Sequence, residues 1–404
     1  MTIIQNDAFK TVHISFYFVE KIEVDAYAYR FLLARLLTTY TKTFDTKKKL
    51  IDTFAKLYGA YITNQVFTLG QYHILKFTLV CPNPSYIEDP SYTDELLYLI
   101  KELFFDRPLF KEDMFEEVKR FAIQYITTRK DRRFEYAREQ FMNYTFKNHA
   151  YGYPISGDLD TIKSMSVTEL YDYYENYFLK NHVRIYVSGH LDTTILSKLE
   201  SLKPYASIDH LKALKVPTIK KILSKHEEVL PMGQAIFFFA YHMPYDRRDE
   251  LYVAAQLTSI ILGGYPESIL FKKIREELML AYDIEAHYEY DKKHLFIYAG
   301  VNLEEKQLAY DQIIDLVNNF IFDGTDDVQL RKAKDFLKNQ VLSSLDHQNV
   351  YTSRYFMSDI FQMDESLDEF LSKIDSVDLN DIKKVASSLL LSTTYTLSGD
   401  TYEI

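Results

Sequence analysis

The chain has 404 residues, 47% of them hydrophobic and 26% charged, which fits a folded globular protein of about two or three domains and not a disordered chain. A formal net charge of −11 argues against a nucleic-acid partner, which generally needs a concentrated basic face. No apolar run reaches the roughly 18 residues of a spanning helix, the N-terminus lacks a basic leader and cleavage site, and the single Cys81 permits no internal disulfide. These features together predict the cytoplasm.

In chain order, VHISFYFV within Thr11–Val19 reads as a strand. Ala26–Thr39 then carries apolar or aromatic residues on almost every side, the pattern of a helix buried on most faces. A second helix over Thr46–Leu57 leads through Gly59 to a hairpin that ends near Cys81, where Pro82 and Pro84 cannot donate in a ladder. Tyr92–Phe105 is helical, and Lys111 to about Asn148 is one long helix or a bent pair. Gly152, Pro154 and Gly157 make a loop; their spacing resembles a phosphate loop but Asp158 follows where a lysine is needed. Ser166 and Glu169 form a capping box for a helix to about Phe178, and Arg184–Ser188 closes the segment as a strand. A polar, Lys-rich stretch from Ala206 to Glu228, with Pro217, reads as a linker carrying a short strand of its own.

The stretch Leu262–Asn302 repeats the earlier pattern. It begins with a Gly-Gly break, continues as a helix containing Arg275, and turns at Ala281-Tyr282 into two alternating aromatic runs, the signature of a hairpin. Ala60-Tyr61 falls over Ala281-Tyr282, His73 over His294, Val80 over Val301 and Phe16 over Phe237, at a constant separation of 221 residues (61 to 282). Ser188-Gly189 and Ser398-Gly399 close the two copies alike. An internal duplication follows, with halves expected at 1–205 and 229–404 and a linker at 206–228.

The strand, the apolar helix, the second helix ending Leu-x-Gly-Ala, the loop HAYGYPISG and the stretch LGGYPESILFKKIREELMLAY resemble the insulinase/pitrilysin family of zinc metallopeptidases over essentially the whole chain. Among bacterial members the resemblance is greatest to the YfmF-like non-catalytic subunits. It implies an α+β fold of two homologous halves, each a mostly antiparallel sheet covered by helices, forming a clam-like chamber (the LuxS/MPP-like metallohydrolase fold). Active members carry His-x-x-Glu-His on the first helix, two histidines gripping zinc and a glutamate polarising its water. The matching residues here are Arg30, Leu33 and Ala34. The third ligand falls at Gln124 or Tyr125, with Glu116 and Glu117 reached only by a two-turn shift of register. No two of the eleven histidines are four apart. His287 and His294 flank the second hairpin as packed or solvent-facing residues, and no pattern supports nucleophilic catalysis. The expectation is a pseudoenzyme with no catalytic residue, no metal and no cofactor.

The second half keeps what the first has lost. By resemblance, Arg275 and Tyr282 match the family's arginine and tyrosine that reach the substrate, and both side chains can donate hydrogen bonds to peptide carbonyls. The expected role is therefore a peptide-binding partner subunit of a two-chain peptidase, a heterodimer with a zinc-bearing sister chain. The resemblance also carries an association with 5-aminopentanol modification of elongation factor P. The alternative is a scaffold or binding protein, self-associating or not, that uses the same fold without proteolysis.

Overall fold

The computed structural model describes residues 1–207, 211–212, 214–215 and 223–399. Ten strands form two five-stranded sheets among helices. The first sheet contains β1 (Thr2–Gln5), β2 (Thr11–Lys21), β3 (Tyr61–Leu69), β4 (Tyr72–Pro82) and β5 (His182–Gly189), in the order β1-β5-β2-β4-β3. The second contains β6 (Ser224–Val229), β7 (Gln234–His242), β8 (Ala281–Glu289), β9 (His294–Asn302) and β10 (Leu390–Ser398), in the order β6-β10-β7-β9-β8. In each, the outermost pair, β1 with β5 or β6 with β10, is parallel and the remaining pairs are antiparallel. The two topologies are identical, as a duplication requires. The linker expected at 206–228 lies partly outside the described residues, and its last residues form β6.

The residue-by-residue correspondence is less simple than a constant separation. The first hairpin turns over two residues, Gly70 and Gln71, and the second over four, Tyr290 to Lys293. A strand alternates its faces with period two, so an odd slip reverses every side chain. His73 accordingly faces the helical layer beside Tyr27, at 4.4 Å between ring centroids, whereas His294 faces the opposite side, edge-on to Phe146 at 5.2 Å. The two histidines that overlay in sequence are not structural counterparts.

The chain packs as two compact units that are not contiguous halves. One comprises Met1–Thr128, Tyr153–Leu214 and Leu345–Gln362; the other Arg129–Gly152, Lys215–Ser344 and Met363–Ile404. These units differ from the sequence halves because each takes in one helix from the other half of the sequence. In the first unit, Phe16, Phe18, Phe77 and Leu79 bury one sheet face in a core with the helices Tyr27–Leu36 and Tyr92–Phe104. The other face receives the helix Gln348–Phe361: Phe356 stacks on Tyr17 at 3.9 Å, and Gln348 Nε2 donates to the carbonyls of Thr11 (2.9 Å) and Ser188 (2.7 Å). In the second unit, Phe237, Phe239, Ile297 and Ala299 form the corresponding core, while the helix Arg133–Thr145 lays Phe141 against Phe238 at 5.1 Å and its Tyr136 hydroxyl donates to Glu228 at 2.8 Å.

Lys111–Asn148 is thus a pair of helices, Glu112–Thr127 and Arg133–Thr145, serving different units. Thr127 and Thr128 donate their hydroxyls back to Ile123 O (2.9 Å) and Gln124 O (2.8 Å), an alternative to helix continuation that accompanies the break. The capping box forms as expected: Glu169 N donates to Ser166 Oγ at 3.2 Å and Ser166 N to Glu169 Oε2 at 2.7 Å.

Gly157 has a positive φ of +74°, and a Cβ there would clash with the backbone nitrogen of Ala28 at the start of the first helix. Its role is close approach, not phosphate binding. Gly157→Ala is expected to cost about 1–3 kcal/mol by overpacking and backbone strain, read as a lower urea midpoint. A midpoint within error of wild type would refute this.

Candidate functional site

Two groups of residues bear on function, one in each unit. In the first unit, Arg30 lies in the first turn of the helix Tyr27–Leu36 and has no exposed surface. Its guanidinium donates to Glu20, to Asn181 Oδ1 at 2.7 Å, and to the carbonyls of Phe18 (2.9 Å) and His73 (3.0 Å). Tyr173 OH donates to the same Glu20 oxygen at 2.7 Å. A buried cation of this kind persists only where acceptors surround it. Arg30 therefore locks the ends of β2 and β4 to the helix and to Asn181.

Zinc does not fit this arrangement. The first ligand position holds a cation that already has its counter-ion, and Leu33 and Ala34 are completely buried hydrocarbon in the core. Gln124 and Tyr125 are exposed on the helix Glu112–Thr127, and the Tyr125 ring is used against Phe31 at 6.0 Å. Glu116 is exposed and pairs with Lys119 at 3.7 Å. Among the described residues no three His, Cys, Asp or Glu side chains converge as a metal site.

The second group is built on the segment from Tyr252 to Asn302. The helix Tyr252–Ser259 widens into a π-type turn over Ile260–Gly264. Gly263 is needed there because a Cβ would sit 2.7 Å from Ala286 N in β8. A second π-type stretch, Phe271–Glu277, replaces the regular helix expected around Arg275; such wide turns recur at functional sites. It closes with Leu278 N donating to Lys273 O at 3.0 Å and Leu280 N to Ile274 O at 2.9 Å, and Met279 adopts a φ of +53°. Ile274, Leu280 and Ala281 are buried in the core beneath. The intervening residues are pushed outward.

Arg275 is exposed, with its guanidinium 4.7 Å above the Phe271 ring, and among the described residues it makes no ion pair. Tyr282 is the extra residue of a β-bulge: Ala281 pairs with Val301 and Asp283 with Gly300. A bulge re-aims the side chain it carries, and Tyr282 is 59% exposed with its hydroxyl donating to Asn302. Both residues are thus presented to solvent by one anchored segment. They do not bond each other. The bulge was not predictable, since the residues around Tyr282 continue the period-two alternation with no glycine to mark a change.

His287 and His294 are held within the same unit. His287 Nε2 lies 3.2 Å from Glu289 Oε1, and His294 Nδ1 2.6 Å from Lys292 O. Below them the turn carries a charge network that sequence reading missed: Lys292 Nζ is 2.5 Å from Glu289 and 3.1 Å from Asp291. Burial resists the Glu289 charge, but Lys292 and His287 outweigh it and hold the carboxyl below its ordinary range. For Asp291 burial wins, with the neighbouring Glu289 charge, and the carboxyl is pushed up despite Lys292.

A model of the peptidase M16 inactive domain matches residues 164–337. In sequence, the chain is 25% identical over 413 residues to the probable inactive metalloprotease YmfF of Bacillus subtilis (strain 168), covering 98% of this chain and 95% of that protein. It is 24% identical to the uncharacterized zinc protease YmxG of the same organism, covering 72% of each. In structure, it is similar to a conserved protein from Enterococcus faecalis V583, with a TM-score of 0.90, 22% identity and coverage of 100% and 96%. A peptidase M16 inactive domain from Pseudomonas fluorescens gives a TM-score of 0.82, 16% identity and coverage of 100% and 96%. A chain of Complex III2 from Candida albicans gives 0.71, 14% identity and coverage of 98% and 93%. These structural likenesses concern the fold. No helix among the described residues is long and apolar enough to cross a membrane. With a buried arginine and hydrocarbon standing where the zinc ligands would be, the chain lacks the zinc motif and is similar to inactive peptidase M16 homologues.

Proposed function

We propose that this chain is the non-catalytic, peptide-binding partner subunit of a two-chain, zinc-dependent insulinase-like peptidase in the cytoplasm. It supplies Arg275 and Tyr282 as substrate contacts to a zinc-bearing sister chain. One contrast carries the reading: the zinc-ligand positions are absorbed into a core and a saturated ion cluster, while Arg275 and Tyr282 are held outward by a π-type turn and a bulge. A guanidinium and a phenol so presented can donate to a peptide carbonyl as it gains charge. The association with elongation factor P 5-aminopentanol modification belongs to this proposal, as the process in which such a peptidase pair acts.

The test is co-expression with a zinc-bearing homologue and assay of peptide cleavage by the purified pair. Arg275→Ala and Tyr282→Phe are each expected to lower cleavage by about 100-fold, the scale of losing one donor to a developing oxyanion, with assembly of the pair retained. Cleavage unchanged in both variants would exclude the site role.

A scaffold without proteolysis is the second reading, favoured by the occurrence of the same fold in a chain of Complex III2. It predicts a stable self-associated species that ignores both unfolded peptide and the zinc-bearing homologue, as read by size exclusion with peptide titration.

A further inference from the structure

On the sheet face of the first unit covered by the helix Gln348–Phe361, Lys76 of β4 is 8% exposed and has no carboxylate partner among the described residues. Its Nζ donates to Ser353 Oγ at 3.1 Å and stands 5.2 Å from the centroid of the Tyr17 ring. The Tyr17 hydroxyl is 3.4 Å from the same Ser353 oxygen. Ser353 itself is half-buried and so remains open to a small reagent.

We propose that Ser353 is a nucleophile toward acyl esters, with Lys76 as its proton acceptor. A serine hydroxyl is a weak nucleophile unless a base lies within hydrogen-bond reach, and a lysine fills that role when buried without a counter-ion, because the neutral amine is then accessible near neutral pH. Ser-Lys pairs are one of the recurring forms of activated serine.

The surroundings suit this. Burial lowers the Lys76 pKa to about 8. Burial, with Lys76 nearby, lowers His13 to about 4, so the adjacent imidazole stays neutral. Burial pushes Tyr17 up to about 12 despite its bond to Ser353, leaving the phenol protonated as a second donor. By strand register, the other titratable groups on this face include Lys21 of β2, Tyr72 of β4, His182, Arg184 and Tyr186 of β5 and Tyr61 at the start of β3, with Arg354 and Asp359 on the covering helix. Asp359 is engaged by the Tyr186 hydroxyl, and Arg184 donates to Ser207 O at 2.6 Å.

In the reaction, Ser353 Oγ bonds the acyl carbon while that carbon's bond to the leaving alkoxide or phenoxide breaks. The serine proton passes to Lys76 Nζ and then to the leaving group, and water cleaves the serine ester by the same route. This activity is independent of Arg275, Tyr282 and any partner chain. The pair is 277 positions apart in sequence, which is why no local motif announces it.

The test uses the full chain with p-nitrophenyl acetate, acid quench and peptide mass mapping. A hydroxylamine-labile acetyl on Ser353 is expected, forming about tenfold faster per pH unit below the lysine pKa and levelling above it. Ser353→Ala should remove it, and Lys76→Arg, which keeps a cation that cannot deprotonate, should slow it at least tenfold while leaving the far-UV circular dichroism of the wild type. No acetyl on Ser353 in the wild type, acetylation of Lys76 in its place, or an undiminished rate in Lys76→Arg would each overturn the proposal; the first two are read on the natural chain, whatever the variants do.

Discussion

Replacing Arg30 with methionine is expected to destabilise the protein by about 3–5 kcal/mol, the range for removing one partner of a buried ion pair. The side chain would still fit as hydrocarbon. What it would leave behind is Glu20, only 19% exposed, together with Asn181 Oδ1 and the carbonyls of Phe18 and His73 without their donor. Unmet buried acceptors and an uncompensated carboxylate outweigh the packing gained. Urea unfolding monitored by tyrosine fluorescence reads the loss as an early transition. Adding Glu20→Gln should restore part of it, because the double variant no longer buries a lone charge. A single-variant loss below about 1 kcal/mol would show that Arg30 does not anchor this end of the sheet. The result also bears on function, since a residue that holds the fold together cannot be exchanged for a metal ligand without that cost.

Lys292→Met should cost about as much, roughly 3–5 kcal/mol, and should change the response to acid. In the natural chain Lys292 sits between Glu289 and Asp291 and lies 4.9 Å over the Tyr151 ring. Tyr151 OH donates to Asp291 O at 3.3 Å, so the turn also holds the segment after the helix Arg133–Thr145. The depressed Glu289 pKa contributes stability that is present above the ordinary glutamate value of about 4.3 and is lost as pH falls below it. The raised Asp291 pKa works the other way: its contribution is present below about 3.9 and is lost as pH rises through the raised value. These partly cancel. Without the lysine Asp291 loses its cation and Glu289 keeps only Arg138, at 3.9 Å, and His287, so both pKa values should rise. The deficit of the variant is therefore largest near pH 7 and shrinks as the solution is acidified toward pH 4. A deficit that stays constant over that interval would mean the lysine acts through packing alone.

Much of this molecule was readable from local pattern. The buried helix after β2, the Ser166–Glu169 cap and the hairpins follow from periodicity and turn chemistry, which depend on residues a few positions apart. The duplication was readable too, because both copies keep the same order of elements, and it is realised as two sheets of one topology. The loss of the His-x-x-Glu-His pattern at Arg30–Ala34 needed only the sequence and the resemblance.

Other features required partners distant in the chain. The register slip that puts His73 and His294 on opposite faces arises from a two-residue difference in turn length, and a one-letter pattern cannot show to which face a strand is committed. The exchange of the helices Arg133–Thr145 and Gln348–Phe361 between the units was hidden because an amphipathic helix declares that it will be buried, not against which sheet. The bulge at Tyr282 depends on pairing with Val301 and Gly300, and the Lys76–Ser353 pair on a helix supplied by the other half. Sequence alone determined the fold class, the repeat and the missing zinc motif, since each is written in short-range periodicity or in a contiguous motif. Tertiary structure decided which side chains are neutralised in the interior and which are held out to solvent, because burial and hydrogen bonding are properties of neighbours that the chain brings together only when folded.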